Sequence, residues 1–235
     1  MMPIMSSDTW PPKHAAESIA VLCSGGLDSA ILLAESLGVY PVVHPIYVRV
    51  GTVWEATEQQ YLERFLTAMR APQLQRLTVL NQPCDDLYSQ HWSMNGRDVP
   101  KAGDPEEDSY LPGRNALLFV KPLLWCLSHK VKTLLTAPLA SNPFPDATPD
   151  FYDGLANVIG MGVSGIVSIE RPYAQMGLHK ADVLRRGAGM PLEHTFSCIH
   201  PERGLHCGHC SKCGERRQGF RDAAMTDPTA YANPE

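Results

Sequence analysis

Hydrophobic and polar positions along this chain switch repeatedly between two periods. Ile19–Cys23 is a short continuous apolar run, which predicts a buried strand. Ser29–Leu37 carries a helical pattern that stops at Gly38, and Val42–Val50 is rich in β-branched residues and reads as a second strand. Glu55–Arg70 has a helical period that places Tyr61, Leu62, Phe65, Leu66 and Met69 on one side, and Leu74–Leu80 reads as a third strand. The pattern fails from Asn81 to Leu111, where Pro, Gly, Asp and Glu dominate; this predicts a long loop, serving as a lid over a site or as a subunit contact, or else partly disordered. Further on, Asn115–His129 predicts a helix, Val131–Ala137 a strand, Asp150–Met161 a helix, Ile166–Ile169 a strand and Lys180–Arg186 a short helix. Strands that alternate with helices imply an α/β fold, a parallel sheet with helices on both faces. Ligands of such sheets bind beyond the carboxyl ends of the strands, where Ser24, Gly51 and Pro138–Pro145 would meet.

Composition narrows the class. The 235 residues suit one α/β domain with an appendage. The expected division is a flexible tail over 1–14, the α/β domain over 15–195, a metal-binding element over 196–225 and a second flexible tail over 226–235. A net charge of −5 argues against a broad electrostatic grip on nucleic acid. No apolar run approaches the roughly 20 residues of a membrane span, and Met1–His14 has no apolar core of a secretion signal. A cytoplasmic protein without membrane contact and without disulfides is expected.

The richest stretch is Ser24-Gly25-Gly26-Leu27-Asp28-Ser29, a glycine turn between the first strand and its helix. Such a turn aims backbone N–H groups and a helix N-terminus at one point, where phosphate binds. It lacks the Lys of G-x-x-x-x-G-K-[ST] and is too short for G-x-G-x-x-G. The plain alternative is a tight strand-to-helix turn using glycine for conformational reasons.

Four of the seven cysteines, Cys198, Cys207, Cys210 and Cys213, read C-x8-C-x2-C-x2-C. Four thiolates at this spacing suit tetrahedral Zn2+ in a closed, structural site. An iron–sulfur cluster is the rival ligand. His206 and His209, interleaved with the cysteines, leave a Cys3His set open but read first as exposed loop residues, and Arg216 reads as part of a solvated helix face.

The Ser24–Ser29 stretch matches S-G-G-x-D-S, the pyrophosphate loop of enzymes that split ATP into AMP and pyrophosphate. Together with Tyr110-Leu-Pro-Gly-Arg-Asn115, Pro172 through Lys180-Ala-Asp-Val-Leu, and Thr195-Phe-Ser-Cys198 followed by His206-Cys207-Gly-His-Cys210-Ser-Lys-Cys213, it resembles the 7-cyano-7-deazaguanine synthase family. The resemblance runs from about Ile19 to Ala223. It implies a Rossmann-like, adenine nucleotide α-hydrolase-like fold and an ATP-dependent C–N ligase. Such an enzyme adenylates a carboxylic acid, lets ammonia attack and yields an amide or nitrile, with 7-carboxy-7-deazaguanine as the default acid. It further implies ATP, Mg2+ and Zn2+ as cofactors and a homodimer. On this reading Asp28, Lys180 and Arg114 are catalytic, with Asp28 beside the metal and Lys180 facing pyrophosphate. Ser24, Gly25, Gly26, Leu27, Ser29 and Asn115 hold the nucleotide, and the four cysteines hold zinc. Rival readings are tRNA thiolation, amidation of a different acid, and a non-catalytic nucleotide sensor. The chain departs from the family at Tyr47–Glu55, where D-Y-G-Q-R-H is absent, and at Ala137–Phe151. The second segment lies beside the deazapurine in the family, so that departure concerns the acid rather than the nucleotide.

Overall fold

A computed structural model describes residue 10 and residues 17–233. In chain order its elements are β1 (Ile19–Leu22), α1 (Leu27–Leu37), β2 (Val43–Arg49), α2 (Glu55–Ala68), β3 (Thr78–Asn81), α3 (Asp85–Tyr88), α4 (Trp92–Asn95) and α5 (Arg114–Ser128). There follow β4 (Thr133–Leu135), α6 (Pro149–Gly162), β5 (Ser168–Glu170), α7 (Pro172–Gln175), α8 (Lys180–Arg186) and α9 (Ser211–Asp222). The five strands form one sheet in the order β3-β2-β1-β4-β5, and every pairing is parallel. This is the expected Rossmann-like α/β architecture.

The central strand β1 is apolar on both sides because both faces of the sheet are covered. Ile19, Val21 and Cys23 point into one core with Ile31, Leu33, Leu62, Phe65, Val183 and Leu184 from α1, α2 and α8. Ala20 points the other way, into a second core with Phe119, Leu123, Tyr152 and Ala156 from α5 and α6. The strand period of two thus serves two hydrophobic layers, which is why the runs read as continuous rather than alternating. Strand order reverses between β1 and β4, and their carboxyl ends open there into a crevice. No helix among the described residues is long and apolar enough to cross a membrane.

Three expectations change. The stretch 81–111 is not a free loop. It holds α3, α4 and a 3-10 turn at Glu106–Ser109, and it is pinned at both ends. Cys84 N donates to Val50 O at 3.2 Å, Val53 N to Ser93 O at 2.9 Å, and Trp92 stacks on Trp54 at 5.7 Å. Farther on, Ala102 N donates to His209 O at 3.0 Å and Ser211 N to Pro100 O at 2.9 Å, so the segment braces the cysteine element. Its polar sequence concealed a backbone satisfied by other backbone.

The expected tail from 226 onward is tied down as far as 233. Ala232 N donates to His206 O at 2.8 Å, and Asn233 Nδ2 to Cys207 O at 2.9 Å. The expected tail over 1–14 lies outside the described residues apart from Trp10, whose indole donates to Glu35 Oε2 at 3.3 Å.

Arg216 does not lie on a solvated face. It is 1% exposed and donates to Thr229 Oγ1, Ser197 Oγ, Leu192 O and Thr195 Oγ1 over 2.6–3.2 Å. A buried cation survives only with such a full set of acceptors. Replacing it leaves those acceptors dry and unpaired, so Arg216→Ala should cost about 3 kcal/mol or more of stability. Urea unfolding of the variant against the parent chain reads that loss.

Candidate active site and metal centre

The turn after β1 owes its form to one residue. Gly25 has φ +73°, a left-handed conformation that side chains resist. A Cβ there would also lie 3.2 Å from both the backbone O and the Cγ of Glu58 on α2. Gly26, the residue before α1, has ordinary extended angles and offers no side-chain cap, so the first N–H groups of α1 are left open to the crevice. The two serines close the turn. Ser24 N donates to Ser29 Oγ at 3.2 Å, the two hydroxyls lie 3.2 Å apart, and Gly26 N reaches Ser24 Oγ at 3.4 Å.

A cavity of about 230 Å3 lies above this turn. Ser24, Gly26, Asp28, Ser29, Arg114 and Asn115 line it, together with Cys23, Tyr47, Glu58 and Tyr152. Six of the nine residues assigned to catalysis and nucleotide binding therefore converge. Gly25, Leu27 and Lys180 do not line it. The Leu27 side chain is 2% exposed and belongs to the core beside α1 and α2, so only its backbone is left for a ligand. Lys180 acts at one remove: its Nζ pairs with Asp28 Oδ2 at 2.5 Å. Its stem passes α9 where Gly219 has no side chain; a Cβ there would lie 2.6 Å from Lys180 Cγ.

Two buried polar atoms at the cavity have no partner among the described residues. One is an acceptor, Asp28 Oδ1; the other is a donor, Arg114 Nε. Buried polar atoms are nearly always satisfied, so a pair of opposite kinds beside a phosphate-type turn marks the place of a polar, charged ligand. Arg114 opens α5 after Gly113, and Trp54 faces its guanidinium at 6.0 Å. Asn115 is committed differently. Its backbone N donates to Asp146 Oδ2 at 3.2 Å and its Nδ2 to Asp146 O at 2.8 Å, so it ties α5 to the segment after β4.

Sequence reasoning missed Glu58. It sits one turn into α2, and Tyr47 from β2 donates to its Oε2 at 2.6 Å. Burial raises its carboxyl from 4.5 to about 7, against the opposing pull of the Tyr47 hydroxyl and Arg114. In sequence it is one polar residue in the amphipathic run Glu55–Ala68, and only its place beneath Gly25 sets it apart. Cys23, at the end of β1, is raised by burial to about 12 and stays a thiol.

The four cysteines of the C-terminal element come together as their spacing requires. Their sulfurs lie within 4.8 Å of one another and all four residues are buried. Backbone N–H groups of His200 and Cys207 donate to Cys198 Sγ, and that of Cys210 to Cys207 Sγ, each at 3.3 Å. Sulfurs that accept backbone hydrogen bonds inside a closed four-thiol shell suit a metal ion. His206 is 1% exposed rather than on the surface, and its Nε2 accepts from Ser197 N at 3.1 Å. The element reaches the phosphate-type turn directly, since Phe196 N donates to Gly25 O at 2.7 Å.

A parallel α/β sheet with a glycine turn and an open helix N-terminus at its switch point is a nucleotide-binding arrangement. The chain belongs to the QueC family, the queuosine biosynthesis protein QueC, whose model matches residues 18–224. Relatives named 7-cyano-7-deazaguanine synthase include that of Xanthomonas euvesicatoria pv. vesicatoria, 32% identical over 90% of this chain and 96% of its own. That of Syntrophobacter fumaroxidans is 30% identical over 93% of this chain and 97% of its own. The resemblance read from the motifs is thereby established at the level of the family.

The two glycines of the turn should respond differently. Gly25→Ala meets both a positive φ and the α2 backbone and should cost about 1–2 kcal/mol. Gly26→Ala, whose added methyl finds its nearest neighbour at 3.4 Å, should cost well under half of that. Parallel urea titrations of the two variants provide the comparison.

Proposed function

We propose that this chain is an ATP-dependent ligase of the 7-cyano-7-deazaguanine synthase type. It adenylates a carboxylic acid, with 7-carboxy-7-deazaguanine as the first acid to test, and delivers ammonia to the activated carbon. The reading rests above all on the unpartnered Asp28 Oδ1 and Arg114 Nε flanking the Ser24–Ser29 turn. A magnesium polyphosphate supplies what each atom lacks: a cation for the carboxylate oxygen and an anionic oxygen for the guanidinium.

The chemistry explains the need for such a site. A carboxylate is a poor electrophile because oxide would have to leave. Attack of its oxygen on the α-phosphorus forms an acyl adenylate and releases pyrophosphate; AMP then leaves when nitrogen attacks. Charge develops on the departing pyrophosphate, and fixed donors stabilise it without reorganising. In this chain the open N–H groups of α1, the hydroxyls of Ser24 and Ser29, and Arg114 are those donors. Lys180 holds Asp28 in place and adds positive charge at the same point. Asp28 would hold Mg2+, which would supply charge neutralisation to the polyphosphate.

Zinc is the proposed occupant of the four-cysteine shell, with a structural role. Its effect would reach the turn through Phe196 and reach Lys180 through α9. The tRNA thiolation alternative calls for a reactive thiol pair. Four thiols are gathered in one closed cluster, while Cys23 and Cys84 are buried with their pKa raised, which argues for the ligase.

The decisive experiment supplies ATP, Mg2+ and a panel of deazapurine and simple carboxylic acids and follows exchange of labelled pyrophosphate into ATP. Exchange should appear only with the right acid and fall at least about a hundredfold in Asp28→Ala. Exchange without any acid, or undiminished exchange in that variant, would contradict the proposal. Elemental analysis should find one zinc per chain. Cys210→Ser should lose both metal and folded protein, and a stable metal-free parent chain would contradict the structural role.

A further inference from the structure

The proposed ligation leaves one chemical need without an assigned residue. When ammonia attacks the acyl adenylate, the new nitrogen carries a surplus proton that must go to a base. Among the described residues that line the cavity, the titratable groups can be taken in turn. Cys23 and Tyr152 are each pushed up to about 12 by burial and hold their protons. Tyr47 is raised as well, by burial and by the neighbouring Glu58 carboxylate. Arg114 is a cation, and Asp28 is engaged by Lys180. Glu58 remains.

Its geometry suits the task. The side chain lies directly beneath Gly25, where the missing Cβ leaves room for it. Its Oε2 is held by the Tyr47 hydroxyl at 2.6 Å, which fixes the rotamer. The groups that face it are Tyr47 from β2, Arg114 from α5, and Trp54 and Glu55 from α2. We propose that Glu58 is the catalytic base of this cavity, taking the proton shed by the attacking nitrogen. In that step the nitrogen lone pair forms the C–N bond, and the C–O bond to the adenylate breaks. AMP departs with that electron pair, and the surplus proton moves from nitrogen to the Glu58 carboxylate. This assignment rests on the ligase reading, and it also accounts for a carboxyl poised near neutrality at the place where a base is needed.

The test separates the two half-reactions. Acid-dependent pyrophosphate exchange by the parent enzyme checks the ligase reading; its absence would sink that reading whatever Glu58 does. With exchange in hand, Glu58→Gln should lose amide formation from ammonia about a hundredfold more than it loses exchange. Hydroxylamine, a nucleophile far less dependent on a base, should recover most of that difference. At constant free ammonia, the parent rate should fall as pH drops through about 7, because the protonated carboxyl cannot accept a proton. This acid limb should vanish in Glu58→Gln. Tyr47→Phe, which keeps the carboxylate and removes a hydrogen bond favouring its charged form, should move the limb to higher pH. Equal losses in both half-reactions, no recovery with hydroxylamine, or an unmoved acid limb in either variant would each overturn the assignment.

Discussion

The site depends on one backbone event, the passage from β1 to α1 through a left-handed residue. Gly25 at φ +73° lets the chain leave the central strand and enter a helix within a few residues, so that the amide groups of Gly26 and the first turn of α1 open toward a common point. Gly26 N reaches only the Ser24 hydroxyl, no side chain caps the first turn of α1, and the helix dipole adds its positive end at that point. The remainder of the fold brings partners to that turn. The parallel sheet sets β4 beside β1, so that Thr136–Pro138 forms the far wall of the cavity. Then α5 enters with Arg114, and α8 brings Lys180 back to Asp28 across 152 residues of sequence.

The cysteine element is part of that support. Its approach segment donates from Phe196 N to Gly25 O, the left-handed residue itself. Its helix α9 packs on α8 at Gly219, against the stem of Lys180. Buried Arg216 fastens α9 to Leu192, Thr195 and Ser197, the segment that makes the Phe196 contact. A short polar helix of this kind buries little apolar surface, and the buried four-cysteine cluster gathers its N-terminus to Cys198 and Cys207. The four-cysteine cluster and the phosphate-type turn are therefore mechanically one unit. The stretch between β3 and α5 closes this unit from the outside through Trp54, Trp92 and the backbone pairs at Ala102 and Ser211.

The cavity combines charges that would be costly if left alone. Arg114, Glu58, Glu55 and the Asp28–Lys180 pair lie close together, partly withdrawn from water. Their mutual compensation is incomplete: Asp28 Oδ1 and Arg114 Nε go unpaired, and Glu58 holds its proton up to about neutral pH. Unsatisfied polar groups destabilise a folded chain and concentrate where a ligand completes them. The local electrostatics thus point to this crevice as the place of a charged ligand.

The sequence alone determined the layered fold, the phosphate-type turn and the four-cysteine set, because each is a local or periodic property. Strand and helix periods are written in consecutive residues, a left-handed turn requires glycine at a fixed offset, and metal ligands recur at knuckle spacing. What it could not determine depended on contacts between distant segments. Glu58 is one of several glutamates on an amphipathic helix until Gly25 is laid over it. Arg216 looks like a surface charge until Thr195, Ser197 and Thr229 close around it, and the side chain of Leu27 looks exposed at the turn until it enters the core. Burial and pairing decide what a polar residue does, and both belong to the assembled tertiary structure rather than to neighbours in the chain.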